Sequence, residues 1–73
     1  MKDVRIDVFK AEFNEEIRGV KAFVEGGIEV SLNTYENSIA IFDDSDDIGS
    51  VIDVINGASY DDFINKVEEY RNQ

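Results

Sequence analysis

The first half of the chain alternates apolar and polar residues with a period of two, which is typical of strands that bury one face. In VRIDVFKAEF, at residues 4–13, the apolar positions keep one parity up to Val8 and take the other from Phe9. A one-residue shift of this kind is produced by a β-bulge, which we predict near Lys10. After a turn at residues 14–16, IRGVKAFVE predicts a second, less regular strand.

The strongest turn signal in the chain is Gly26-Gly27, because two residues free to adopt positive φ suit a tight hairpin. The segment IEVSLN that follows alternates clearly and predicts a third strand. A turn at Glu36-Asn37 leads into SIAIF, the fourth. Short connections between successive strands predict an antiparallel meander.

The spacing changes to that of a helix after Phe42. Apolar residues recur at i, i+3, i+4 and i+7 up to Gly57, which stands where a helix needs a left-handed cap. Ser59 and Asp62 have the spacing of a capping box and introduce a second apolar stripe. The two stripes contain Ile48, Val51, Ile52 and Ile55, and then Tyr60, Phe63, Ile64 and Val67.

These elements predict an α+β fold, a four-stranded antiparallel β-meander followed by two short C-terminal α-helices packed on one face. We expect a single domain over residues 1–73. Residues 57–59 are too few to do more than join the helices as an αα-hairpin. The apolar parity of the strands is predicted to meet the helices. The opposite face should carry Arg5, Asp7, Glu29, Ser31 and Asn33, with Phe9 and Phe13 as exposed apolar positions.

An alternative remains open for residues 9–24, where Phe13, Ile17, Val20 and Val24 also have a partial helical spacing. Gly19 and the β-branched content favour strand over helix.

Composition excludes several kinds of chemistry. The 73 residues contain no cysteine and no histidine. Disulfides and thiolate zinc sites are thereby excluded, as is most acid–base and triad catalysis. We therefore predict a protein that is not an enzyme and that has no catalytic residue and no cofactor. The N-terminal segment lacks an apolar signal core, and no window approaches about 18 apolar residues, so we expect a cytoplasmic protein without membrane contact.

The segment FDDSDDIGS, at residues 42–50, invites comparison with a calcium-binding loop. Such a loop needs oxygen ligands at positions 1, 3 and 5, glycine at 6 and glutamate at 12. Counting from Asp44 places Gly49 at position 6, but Ile48 at position 5 and Ile55 at position 12. We predict no tight metal site. The alternative interpretation is that Asp44 or Ser45 caps the first helix, with the next aspartates in its first turn.

Charge gives the main functional indication. The chain carries 17 acidic and 7 basic residues, a net charge of −10, which opposes direct binding to nucleic acid. The natural partner of such a field is a protein with a basic surface, and many basic surfaces bind DNA or RNA. The acidity is concentrated in the second half of the chain. The candidate partner-binding residues are Asp43, Asp44, Asp46, Asp47, Asp53, Glu68 and Glu69.

In size and charge the chain looks like the small, cysteine-free, acidic inhibitors that phages and mobile elements direct against host defence, including anti-CRISPR and anti-restriction proteins. The resemblance implies an inhibitor whose carboxylates take the place of phosphates, a DNA mimic. The alternative is a general protein-interaction or assembly module that uses Phe9, Phe13 or a sheet edge, with acidity for solubility only. A homodimer is compatible with that alternative.

Overall fold

A computed structural model describes residues 2–11, 13–45 and 49–73. They form a five-stranded antiparallel sheet in which strand order equals chain order, followed by one helix. The α+β class predicted from the sequence is confirmed, whereas the prediction of four strands and two helices is wrong in detail. The elements are β1 (Val4–Lys10), β2 (Ile17–Val24), β3 (Ile28–Asn33), β4 (Ser38–Asp43), β5 (Ser50–Asn56) and α1 (Tyr60–Arg71).

The first predicted helix is instead strand β5, which pairs with β4. Its sequence, SVIDVIN, is rich in β-branched residues, which lose side-chain freedom in a helix and pack well in a sheet. The predicted αα-hairpin is therefore also wrong, because residues 57–59 join a strand to a helix. Ile48, which opened the predicted apolar stripe, lies outside the described residues.

The segment from Phe9 to Val24 contains a strand and not a helix, as predicted, since Ile17–Val24 pairs with β1 along its length. The register of that pair shifts between Phe9 and Lys10. Lys10 pairs with Ile17, so Arg18 is passed over. The irregularity predicted near Lys10 is therefore present, but the extra residue lies in β2 and not in β1, and Phe9 stays on the face opposite Val8.

The core lies between the sheet and α1, which packs on β3 and β2. Phe63 is fully buried among the central strands, and the core also includes Ala22 and Ala58, which the sequence analysis had not placed there. The predicted core is wrong at the sheet edges, because one helix covers only the middle of the sheet. Of the apolar residues predicted to lie in the core, Ile6, Val8, Val51 and Ile52 remain exposed at the edges, and Tyr60 remains exposed at the start of α1.

The other face of the sheet has no helix packed on it among the described elements. Cross-strand partners point to the same side, and the observed register places the predicted polar set there. Aromatic rings lie on this open face as well. The guanidinium of Arg5 lies 4.7 Å from the ring centroid of Phe23, and the ammonium of Lys21 lies 5.3 Å from that of Phe9. Phe13 is 93% exposed, as predicted, whereas Phe9 is half-buried.

Helix α1 begins with the predicted capping box. The Asp62 N–H donates to Ser59 Oγ at 3.4 Å, and the Ser59 N–H donates to Asp62 Oδ2 at 2.8 Å. Both bonds satisfy amide groups that the first turn of a helix leaves without partners.

Replacing Ser59 by alanine should lower the free energy of unfolding by about 1 kcal/mol, because it removes the side-chain acceptor at the N-cap. Urea denaturation followed by circular dichroism measures this change. Ser59→Thr keeps a hydroxyl in the same place and serves as the control, so an equal loss in both variants would contradict the capping role.

Candidate acidic partner-binding surface

The loop after β4 holds the first of the predicted partner-binding residues at one end of the sheet. Asp43 is the last residue of β4, and the Asp44 N–H donates to the carbonyl oxygen of Gly27 at 2.6 Å. The loop therefore lies against the β2–β3 turn, where Gly26 and Gly27 have φ values of 101° and 98°. The prediction that Asp44 or Ser45 caps a helix is wrong, because the next element is β5. Two further site residues of this loop, Asp46 and Asp47, lie outside the described residues.

Asp43 is held in place by its own loop. Hydrogen bonds from the Ser45 hydroxyl and N–H lower the pKa of Asp43 from its ordinary value of 3.8. The Ser45 N–H lies 2.9 Å from Asp43 Oδ1. Both donors favour the charged form, so this carboxylate stays ionised and oriented.

This arrangement predicts a pH dependence. Because the folded pKa of Asp43 is depressed, its stabilising contribution is complete above the unfolded value of 3.8 and is lost as pH falls through the lower folded value. The difference in free energy of unfolding between the protein and Asp43→Asn should be constant from about pH 5 to 7 and shrink below about pH 4. In a carboxyl NMR titration, Ser45→Ala should move the pKa of Asp43 back up, and an unchanged value would contradict the role of the Ser45 hydroxyl.

Two carboxylates that the sequence analysis did not select lie at the same end of the sheet. The Asp3 N–H donates to Glu25 Oε2 at 3.1 Å, and the Glu25 N–H donates to the carbonyl oxygen of Asp3 at 2.9 Å. The sequence carries no direct signal for this contact, because only the observed pairing of Val4 with Val24 brings their neighbours together. We call Asp3, Glu25, Asp43 and Asp44 the acidic end.

Three other predicted residues lie along the helix side of the sheet. Asp53 on β5 pairs with Ile41, whose side chain is buried under α1. The hydrogen bond from Lys66 to Glu69, at 3.1 Å, raises the pKa of Lys66, and the charge of Asp53 adds to this effect. Asp53 and Glu69 therefore both stabilise the charged form of Lys66. We call Asp53, Glu68 and Glu69 the acidic flank.

Ion pairing differs between the two groups. On the flank, Glu69 pairs with Lys66, and Glu68 pairs with Arg71 at 3.5 Å. Within residues 2–11, 13–45 and 49–73, no carboxylate of the acidic end forms an ion pair. Other basic side chains lie over aromatic rings, as Arg18 does 4.1 Å from the centroid of Tyr35. No ion pair among the described residues therefore neutralises a carboxylate of the acidic end.

An open cavity of about 390 Å³ borders the acidic end and is lined by Lys2, Glu25, Arg71, Asn72 and Gln73. A hydrogen bond fixes the side chain of Arg71 there, since its Nε donates to the carbonyl oxygen of Lys2 at 3.0 Å.

No group of three or more acidic side chains suited to a metal ion occurs in the described part of the chain. In the same part, no helix is long and apolar enough to cross a membrane.

Comparison with protein-family models, with characterised proteins and with solved structures finds no match for this chain.

Proposed function

We propose that this protein is a non-enzymatic, cytoplasmic inhibitor that covers the basic, nucleic-acid-binding surface of another protein, with its carboxylates in the place of phosphates. The observation that carries the proposal is the acidic end, where three segments of the chain bring Asp3, Glu25, Asp43 and Asp44 to the same end of the sheet, and none of the four forms an ion pair among the described residues. Phage or mobile-element inhibitors of the anti-CRISPR or anti-restriction kind are the class that this combination of size and charge favours.

The spacing of the sheet suits such a role. Neighbouring strands lie about 4.7–4.9 Å apart. Duplex DNA presents one phosphate per about 3.4 Å of axis on each strand. Strand ends and turns therefore offer backbone positions a few ångströms apart, so that several carboxylates can face a surface that binds successive phosphates.

The acidic end is also preorganised. Glu25 accepts the Asp3 N–H, and Asp43 accepts the Ser45 N–H, so both carboxylates are held before any partner arrives. Less side-chain entropy is then lost on binding. Each exposed charge pair contributes little to affinity, but the summed field accelerates association with a basic surface at low salt.

Two further groups extend the proposed surface. Asp46 and Asp47 follow Asp44 in the same loop. The acidic flank lies on the helix side, where Lys66 and Arg71 partly neutralise it. We therefore expect the acidic end to contribute more to partner binding than the flank does.

The test compares two triple variants that change the net charge equally. Glu25→Gln, Asp43→Asn and Asp44→Asn remove charge at the acidic end and keep acceptor oxygens. Glu15→Gln, Glu16→Gln and Glu36→Gln do the same in the β1–β2 and β3–β4 turns, at the opposite end of the sheet.

Immobilised protein captures partners from a bacterial lysate, and a salt gradient elutes them for mass spectrometry. We expect a nucleic-acid-binding protein that elutes at lower salt from the acidic-end variant than from the control variant, and whose own nucleic acid competes for it. Equal retention by the unchanged protein and both variants, with no competition by nucleic acid, would contradict the proposal. It would favour an interaction module whose acidity serves solubility only.

A further inference from the structure

Strand β1 forms one edge of the sheet. The Glu25 N–H donates to the carbonyl oxygen of Asp3 at 2.9 Å, so the backbone of Asp3 faces β2. Hydrogen-bonding direction alternates along an antiparallel pair, so Arg5 and Asp7 also face β2, and the residues between them turn their N–H and C=O groups away from it. The residues with outward-facing backbone groups are Val4, Ile6 and Val8.

The side chains of the same residues point to the helix side. Because α1 packs on β3 and β2, it leaves β1 uncovered beyond Val4, which packs against the core, and Ile6 and Val8 are each 50% exposed. The edge thus combines outward-facing backbone groups with exposed apolar side chains, a combination that favours the addition of another strand.

The other edge, β5, is protected against strand addition. Its register with β4 shifts between Ile41 and Phe42, where Ile52 is passed over, and Asp53 places a charge on the helix side of the strand. Bulges and charges of this kind are the usual devices that prevent edge pairing. The charges of β1 between Val4 and Val8 lie on the open face instead. In β1 the register with β2 is unbroken from Val4 to Phe9.

We propose that β1 pairs antiparallel with β1 of a second copy of this chain, with Ile6 opposite Ile6. In this register Arg5 lies opposite Asp7 of the second copy, and Asp7 lies opposite its Arg5, so both charged pairs are complementary. Centring the pair on Arg5 or on Asp7 would place like charges opposite each other. A shift by one residue would pair apolar with charged side chains.

The register with Ile6 opposite Ile6 also pairs apolar side chains with one another on the helix side. Val4 lies opposite Val8 of the second copy, and the three apolar pairs fill the uncovered strip between the two α1 helices. On the open face, the ion pair between Arg5 and Asp7, at 3.2 Å within one copy, becomes a group of four alternating charges. The remaining like-charge match, Lys2 opposite Lys10, falls outside the strand because β1 begins at Val4.

Local charge at β1 does not oppose this contact. VRIDVFK contains two basic residues and one acidic residue in a protein of net charge −10. The two copies therefore meet where the excess negative charge is absent. The inference does not depend on the acidic end binding a partner.

Charge reversal tests both the partner and the register. Arg5→Asp and Asp7→Arg each place four like charges at the junction, and each should raise the dimer dissociation constant by roughly 30-fold or more, as measured by sedimentation equilibrium. An equimolar mixture of the two variants should form a mixed dimer, because each strand then faces opposite charges. The double variant Arg5→Asp/Asp7→Arg should dimerise like the unchanged protein.

Hydrogen exchange gives a second readout. In the unchanged protein, the amides of Val4, Ile6 and Val8 should become protected as concentration rises, and in either single variant they should not. Both substituted side chains are exposed, at 70% and 54%, so the monomer should keep its circular dichroism spectrum. A protein that stays monomeric at about 1 mM, or a dimer that is indifferent to the single variants and their mixture, would overturn the proposal.

Discussion

Replacing Phe63 by alanine is expected to lower the free energy of unfolding by about 3–5 kcal/mol. Phe63 is fully buried where α1 packs on the sheet, and truncation leaves a cavity that the surrounding strands cannot close. A domain of 73 residues has a total stability of about 4–11 kcal/mol. The variant should therefore be partly or largely unfolded at 25 °C, as measured by urea denaturation and near-ultraviolet circular dichroism.

Phe13→Ala removes the same side chain at a position that is 93% exposed. We expect a change of at most about 0.5 kcal/mol there. If Phe63→Ala and Phe13→Ala cost the same, α1 does not pack on the sheet as described here.

The second large effect is expected at Gly19, near the start of the interior strand β2. A Cβ at this position would collide with the carbonyl oxygen of Leu32 and with the ring of Phe9. The carbonyl belongs to the backbone of β3 and cannot turn away without disturbing the ladder. Gly19→Ala should therefore lower the free energy of unfolding by about 2–4 kcal/mol, as measured by urea denaturation.

Two comparison variants separate the contributions of backbone strain, the Phe9 ring and the Leu32 carbonyl to this loss of stability. Gly26→Ala adds a Cβ with no atom within 4 Å but at φ 101°, so only backbone strain of about 1 kcal/mol applies. Phe9→Ala combined with Gly19→Ala removes the ring contact and keeps the collision with the Leu32 carbonyl, so it should recover only part of the loss. Equal costs for Gly19→Ala and Gly26→Ala would contradict the close approach.

The strands that were predicted correctly are those that bury one face and expose the other. β3 alternates because one side meets α1 and the other faces away, and burial follows the same alternation. β5 was mistaken for a helix because its VIDVI run is apolar at nearly every position. At the sheet edge both of its faces are largely exposed, and only Ile55 packs against the core. Such a run has no period of two, and only its pairing with β4 decides its structure.

Only part of the candidate site was predicted, because some of its residues are brought together by strand pairing and not by position in the chain. Asp43 and Asp44 are neighbours in the chain, and their clustering is visible in the sequence. Asp3 and Glu25 meet only through the register of β1 with β2, which a bulge shifts at its other end. Sequence spacing alone does not determine that register.

The packing of α1 on β2 and β3 has a consequence for biosynthesis. Short turns join successive strands, so each hairpin can form soon after its residues leave the ribosome. The apolar side of Val30, Ile39 and Ile41 stays uncovered until residues 60–71 have been made, because that helix supplies the other half of the core. We therefore expect nascent chains that end before Ser59 to expose apolar surface and to bind chaperones. Folding should be completed only after α1 has emerged from the ribosome.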